Sequence, residues 1–169
     1  MRTKQEEPFY AQTTSVSVTN TTVATSLIGS GNGQGTMTIP ANQLQVGRTL
    51  RLSASGFYTS SGPTIQFQIK IGSTVILSTG AVSTVSGTNV PWSLQVDLTC
   101  RSIGVSGTIM GNSFVIVGVT ASMSRLYPLV NSGAASVINT TIANLVDLIL
   151  TWGTATSSIT LTNARLELV

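Results

Sequence analysis

PWSLQVDLTCR, residues 91–101, is the stretch on which the fold turns. Leu94, Val96, Leu98 and Cys100 fall on one side, and Gln95, Asp97, Thr99 and Arg101 on the other. This is the period of two that a half-buried β-strand imposes, because successive side chains leave opposite faces of the sheet. A helix would scatter the same apolar residues around its axis. The alternation recurs on both sides of this stretch. Upstream, Leu50, Leu52 and Ala54 oppose Arg51, Ser53 and Ser55, and Ile65, Phe67, Ile69 and Ile71 oppose Gln66, Gln68 and Lys70. Downstream, Leu148, Leu150 and Trp152 oppose Asp147, Ile149 and Thr151. Each is a strand with one wet face, the habit of antiparallel sheet.

Two segments depart from this pattern. Phe114 to Val119 is apolar on both faces, which predicts a strand covered on both sides and makes it an interface candidate. Near the C-terminus Ile159 and Leu161 are in one phase and Ala164, Leu166 and Leu168 in the other. A bulge at Thr162 and Asn163 would restore a single buried face and carry the last strand nearly to Val169. Gly72-Ser73 between two apolar runs predicts a tight hairpin, Gly62-Pro63 a turn, and GSGNGQG from Gly29 to Gly35 a flexible loop. That loop lacks the Lys-Ser/Thr ending and the following helix of a phosphate-binding loop. The runs from Ser15 to Leu168 make about eight to ten strands, the number of a two-sheet antiparallel sandwich of jelly-roll type. The fold class is therefore all-β, with one domain over residues 13–169 and an extended arm over residues 1–12.

Composition narrows the function. Charged residues are 8% of the 169-residue chain, against about 25% in ordinary globular domains. The surface must be covered by hydroxyls and amides instead. There is no His and a single Cys, Cys100, whose alternating apolar neighbours predict a buried, inert thiol. No metal site, cofactor or catalytic residue is expected. The body acids Asp97, Asp147 and Glu167 all stand at outward strand positions, so they read as solvated side chains rather than a glycosidase pair. Lys70 lies mid-strand with no serine motif near it. The net charge of +3 comes from basic residues scattered along the chain, not from a cluster of the kind nucleic acid demands. No apolar run approaches the roughly 20 residues of a membrane helix, and MRTKQEE has no apolar stretch behind its basic residues, so synthesis in a cytoplasm is expected.

Four of the charges, Arg2, Lys4, Glu6 and Glu7, fall in the first seven residues, followed by Pro8, Phe9 and Tyr10. A charged segment with an aromatic pair, attached to a low-charge β body, reads as a docking arm. Arg2, Lys4, Glu6, Glu7, Phe9 and Tyr10 are its candidate partner contacts. Trp92, Trp152, Phe57, Tyr58 and Tyr127 are the candidates for stacking on sugar rings; of these Trp152 is in phase with the core, Trp92 is expected to pack under a loop, and Phe57 and Tyr58 at a strand end mark either a contact surface or a core lid.

With these strands laid out, the chain resembles a family of β-rich jelly-roll virion proteins of tailed bacteriophages and related viruses. The stretches that carry the resemblance are TMTIPANQLQVGRTLRLSASG from Thr36, TIQFQIKIG from Thr64, PWSLQVDLTCRSIGVSG from Pro91 and TWGTATSSITLTNARLELV from Thr151. It spans about residues 36–169. It implies a virion domain without enzymatic activity, found as a stand-alone head protein or as part of a fibre. The first expectation is a capsid cement or decoration protein on the outer capsid surface. It would bind the major capsid protein and bridge neighbouring subunits through its arm, as a homo-oligomer with a trimer favoured over a dimer. The alternative is a tail fibre, spike or baseplate domain that recognises a host surface glycan. Neither involves nucleic acid or a membrane.

Overall fold

A computed structural model describes residues 9–28, 32–119, 124–131 and 133–169. Every element in it is a β-strand: β1 (Tyr10–Gln12), β2 (Val16–Thr19), β3 (Thr25–Ser26), β4 (Gly33–Gly35), β5 (Thr38–Ile39), β6 (Thr49–Ser61), β7 (Thr64–Ile71), β8 (Thr74–Ser78), β9 (Val82–Ser83), β10 (Ser86–Ser102), β11 (Gly107–Gly118), β12 (Ser124–Val130), β13 (Ser136–Ile138), β14 (Asn144–Trp152) and β15 (Ser158–Leu168). The long strands match the number expected. The surplus is made of pieces of two to four residues.

The strands join into one antiparallel sheet in the order β3-β14-β7-β8-β12-β11-β10-β6-β15-β1-β4. It is curled into a half-barrel. The inner face carries the alternating apolar residues, among them Leu52, Ile69, Val96, Val115, Leu148 and Leu166, in one continuous core. Burying a Leu, Ile or Val contributes about 1.5–3 kcal/mol, so the strict alternation of six long strands is the main source of stability. Two aromatic contacts lie within the core. Trp152 packs on Tyr58 at 6.3 Å between ring centroids, and Trp92 on Phe67 at 5.4 Å. Trp92 is thus a core residue in the middle of β10, not a residue tucked beneath a loop.

Several local expectations are met. Gly72-Ser73 joins β7 to β8 with Ile71 opposite Thr74 and Gly72 at φ 58°. The register of β15 on β6 shifts between Leu161 and Asn163, so Ile159, Leu161, Ala164 and Leu166 are all buried. Cys100 is buried and free, and burial pushes its thiol pKa up, which keeps it in the unreactive form.

Three further expectations need correcting. Phe114 to Val119 is not covered on both sides: Val115 and Val117 are buried, but Phe114 is 40% exposed and its side of the sheet is open. Gly33 to Gly35 is a strand rather than loop, paired with β1, while Gly29 to Gly31 lie outside the described residues. Tyr10 to Gln12 do not stand apart as an arm, because they form β1 between β15 and β4.

The two ends of the sheet are tied by a single stretch of chain. Gly33–Gly35 pairs with β1, and Thr38–Ile39 pairs with β14. Between them the Thr36 N–H donates to the Phe9 carbonyl at 2.6 Å, and the Met37 carbonyl accepts from Val146 N–H at 2.9 Å. This seam needs its glycines. A Cβ at Gly35, whose φ is 86°, would run into the Phe9 carbonyl, and one at Gly33 would meet the Tyr10 ring.

Candidate functional site

The outer face of the long strands offers the first place where chemistry gathers. Register places Phe114 of β11, Gln95 of β10, Ser53 of β6 and Arg165 of β15 in one row across the sheet. Ile116, Ser93, Ser55 and Asn163 form the next row. All of these except Arg165 line a shallow groove of about 420 Å³. Phe114 and Ile116 make an apolar end, and the floor is hydroxyls and amides.

Asn163 reaches this groove because of the bulge in β15. The extra residue turns both Thr162 and Asn163 outward, the re-aiming that bulges accomplish beside binding sites. The Thr162 hydroxyl donates to the Ser55 carbonyl at 3.1 Å and pins the kink. Elsewhere on exposed or half-buried sheet faces, hydroxyls satisfy one another: Ser17 with Thr160 at 2.8 Å, Thr49 with Thr99 at 3.0 Å, Ser102 with Thr108 at 2.7 Å. Ser53, Ser55, Ser93, Gln95 and Asn163 differ. Among the described residues none of their side chains bonds to another protein group.

Charge is neutralised beside the groove. Arg51 Nε lies 2.8 Å from Asp97 Oδ1, and Arg165 Nε lies 2.8 Å from Glu167 Oε1. Two of the three body acids are therefore ion-paired on the outer face. The third, Asp147, departs from the solvated reading. It is half-buried and accepts a hydrogen bond from the Ser26 hydroxyl at 2.6 Å. Burial pushes its carboxyl pKa up, against the opposing pull of that bond and of Lys70 across the strand pair.

Asp147 lines a cavity of about 400 Å³ at the seam, with Tyr10, Ile28, Met37 and Leu145 among its other walls. The Tyr10 hydroxyl is buried without a hydrogen-bond partner, and desolvation raises its pKa. No group of three or more His, Cys, Asp or Glu that could hold a metal gathers among the described residues.

The residues predicted to touch partners separate into two sets. Arg2, Lys4, Glu6 and Glu7 lie outside the described residues. Phe9 is partly buried against the core and Tyr10 is 4% exposed, so this chain's own body takes up the aromatic pair. Of the proposed sugar-stacking pair, Tyr58 is buried with its hydroxyl donating to the Gly118 carbonyl at 2.6 Å. Phe57 stays 45% exposed in mid-strand. The run from Phe114 was expected to be an interface candidate and Asn163 to lie in a bulge, but neither of them, nor Gln95, was read as lining a common groove. The signals were present, in a run apolar on both faces and in the phase change of the last strand. Searches against family models, curated proteins and solved structures find no match to this chain.

Proposed function

We propose that the chain is a structural virion protein that acts by binding and without catalysis, its curled sheet one jelly-roll-like sandwich. The leading role is capsid cement or decoration on the outer shell, with the major capsid protein as partner and a homo-oligomer, preferably a trimer, as the working form. The observation that carries this reading is the anchoring of Phe9. Its carbonyl is fastened to Thr36 and its ring packs on the core, which fixes the point where residues 1–8 join the body; Arg2, Lys4, Glu6 and Glu7 of that segment are the proposed contacts to a neighbour. Interface area added along a neighbouring subunit stabilises the shell by mass action.

The test is a deletion of residues 1–8, which spares β1, together with the copy number of the protein in purified particles. The expected result is a copy number comparable to the shell protein and lost attachment on deletion, with thermal unfolding unchanged. A few copies per particle would move the protein to a tail, fibre or spike, and absence from the particle would remove both roles. The second reading, a fibre or spike domain for a surface glycan, is favoured by the open groove beside Phe114 and its unpaired polar floor.

A further inference from the structure

We propose that the outer-face groove across β11, β10, β6 and β15 binds a neutral oligosaccharide, with Phe114 as the stacking wall and the Gln95 and Asn163 amides as the main hydrogen-bonding groups. This deepens the glycan reading above and rests on it for its biological setting. Three observations converge.

The first is chemical. A sugar ring has apolar C–H faces and a rim of hydroxyls that both donate and accept. The groove presents one aromatic face, 40% exposed, beside serine hydroxyls and carboxamides, which also both donate and accept. The second is that these groups are unspent. On neighbouring faces hydroxyls bond to each other, whereas the polar floor here bonds to no described protein group. A ligand can therefore gain hydrogen bonds without first breaking internal ones, which is the cheap form of preorganisation. The third is the bulge, which spends regular pairing to place Asn163 in the floor and is held by the Thr162 to Ser55 bond.

Charge decides the class of sugar. The adjoining guanidiniums of Arg51 and Arg165 are each bonded to a carboxylate of this chain, so an acidic glycan would have to compete with Asp97 and Glu167 for them. A neutral one has no such competitor. Size agrees as well: three inter-strand steps from β11 to β15 span about 14 Å, room for a short run of rings. A second copy of the chain is the less fitting occupant, since a stable protein interface buries about 800 Å² per partner around an apolar centre, and here the centre is hydroxyls and amides.

The experiment uses the full chain on an array of neutral oligosaccharides of hexoses and N-acetylhexosamines, with sialylated and sulfated oligosaccharides beside them. The strongest neutral trisaccharide is then titrated by calorimetry against wild type, Phe114→Ala, Gln95→Ala and Asn163→Ala. All three positions are exposed, and emission of the buried Trp92 and Trp152 checks that each variant is folded. The expected result is neutral binding weakened about ten-fold by Phe114→Ala and about five-fold by each amide variant. If neutral sugars bind but only Phe57→Ala weakens them, the groove is wrong and the glycan reading survives. Binding confined to acidic sugars overturns the class, and no binding on the array overturns site and glycan reading together. A concentration-dependent dimer that Phe114→Arg dissolves gives the face to a second copy and overturns the proposal.

Discussion

The middle of the sheet and its seam are held by different means. Along most of β6, β10, β14 and β15 the inward side chains are apolar and buried, with Ser60 and Asn144 the buried polar exceptions, so stability comes from area and is spread over many residues. At the seam the strands are two or three residues long, and they are held by short ladders of β1 with β4 and of β14 with β3 and β5, by backbone bonds at Thr36 and Val146, and by glycines that let the Phe9–Tyr10 backbone come close. Long strands tolerate an error at one position. A seam built from short ladders does not, yet its failure need not spread.

The sharpest break of this contrast is at its strong side. Trp152 is 1% exposed and packed on Tyr58, and Trp152→Ala should cost about 3–5 kcal/mol. The denaturant midpoint should fall in one cooperative transition, with all amides losing protection together. At the seam, Gly35→Ala sets a Cβ against the Phe9 carbonyl at a φ of 86°. The expected cost is about 2 kcal/mol, read by hydrogen exchange as faster opening of Tyr10 to Gln12 while the amides of β10 stay protected. A global loss from Gly35→Ala as large as that from Trp152→Ala would show that seam and middle are one unit.

This contrast also marks what was legible in the amino-acid sequence. Period two is visible wherever a strand is long and wet on one side, and the phase change at Thr162 and Asn163 located the bulge from pattern alone. The seam was not legible, because Gly33-Gln34-Gly35 carries one side chain, too few to show a period, and Tyr10 looks like an arm residue until its pairing with Leu166 and Gly35 is known. Phe57 and Tyr58 sit side by side in sequence, and only the phase of β6 sends one outward and the other inward. Half of the groove was likewise hidden, since cross-strand rows join residues far apart in the chain, such as Ser53, Gln95 and Asn163. Which serines lack a bonding partner depends on register and not on composition.

Tyr58 tests how far the middle depends on a polar contact rather than on area. Its hydroxyl reaches the Gly118 carbonyl at 2.6 Å from within the core. Tyr58→Phe keeps the ring against Trp152 but leaves that carbonyl without the bond, an expected loss of about 1–2 kcal/mol of unfolding free energy, read as a lower denaturant midpoint. An unchanged midpoint would mean that packing alone sets the middle of the sheet.

Asp147 gives the smallest effect and the one with a distinctive pH dependence. Its carboxyl pKa is raised in the folded chain, first by burial, with the Ser26 bond and Lys70 pulling the other way. A folded acid with a raised pKa holds its proton more tightly than the unfolded chain does. Stability from this group is therefore fully present below the unfolded pKa and is lost as pH rises toward the folded one. At neutral pH the ionised side chain destabilises the seam, so Asp147→Asn should raise the midpoint there by less than about 1 kcal/mol, with the amide oxygen still able to accept from Ser26. The advantage should shrink as pH falls through the acid range, because the wild-type carboxyl becomes neutral too. Unfolding curves of both proteins at matched pH values decide it. A variant less stable at neutral pH, with the gap closing in acid, would mean that the ionised carboxylate holds Ser26 and Lys70 more strongly than burial opposes it.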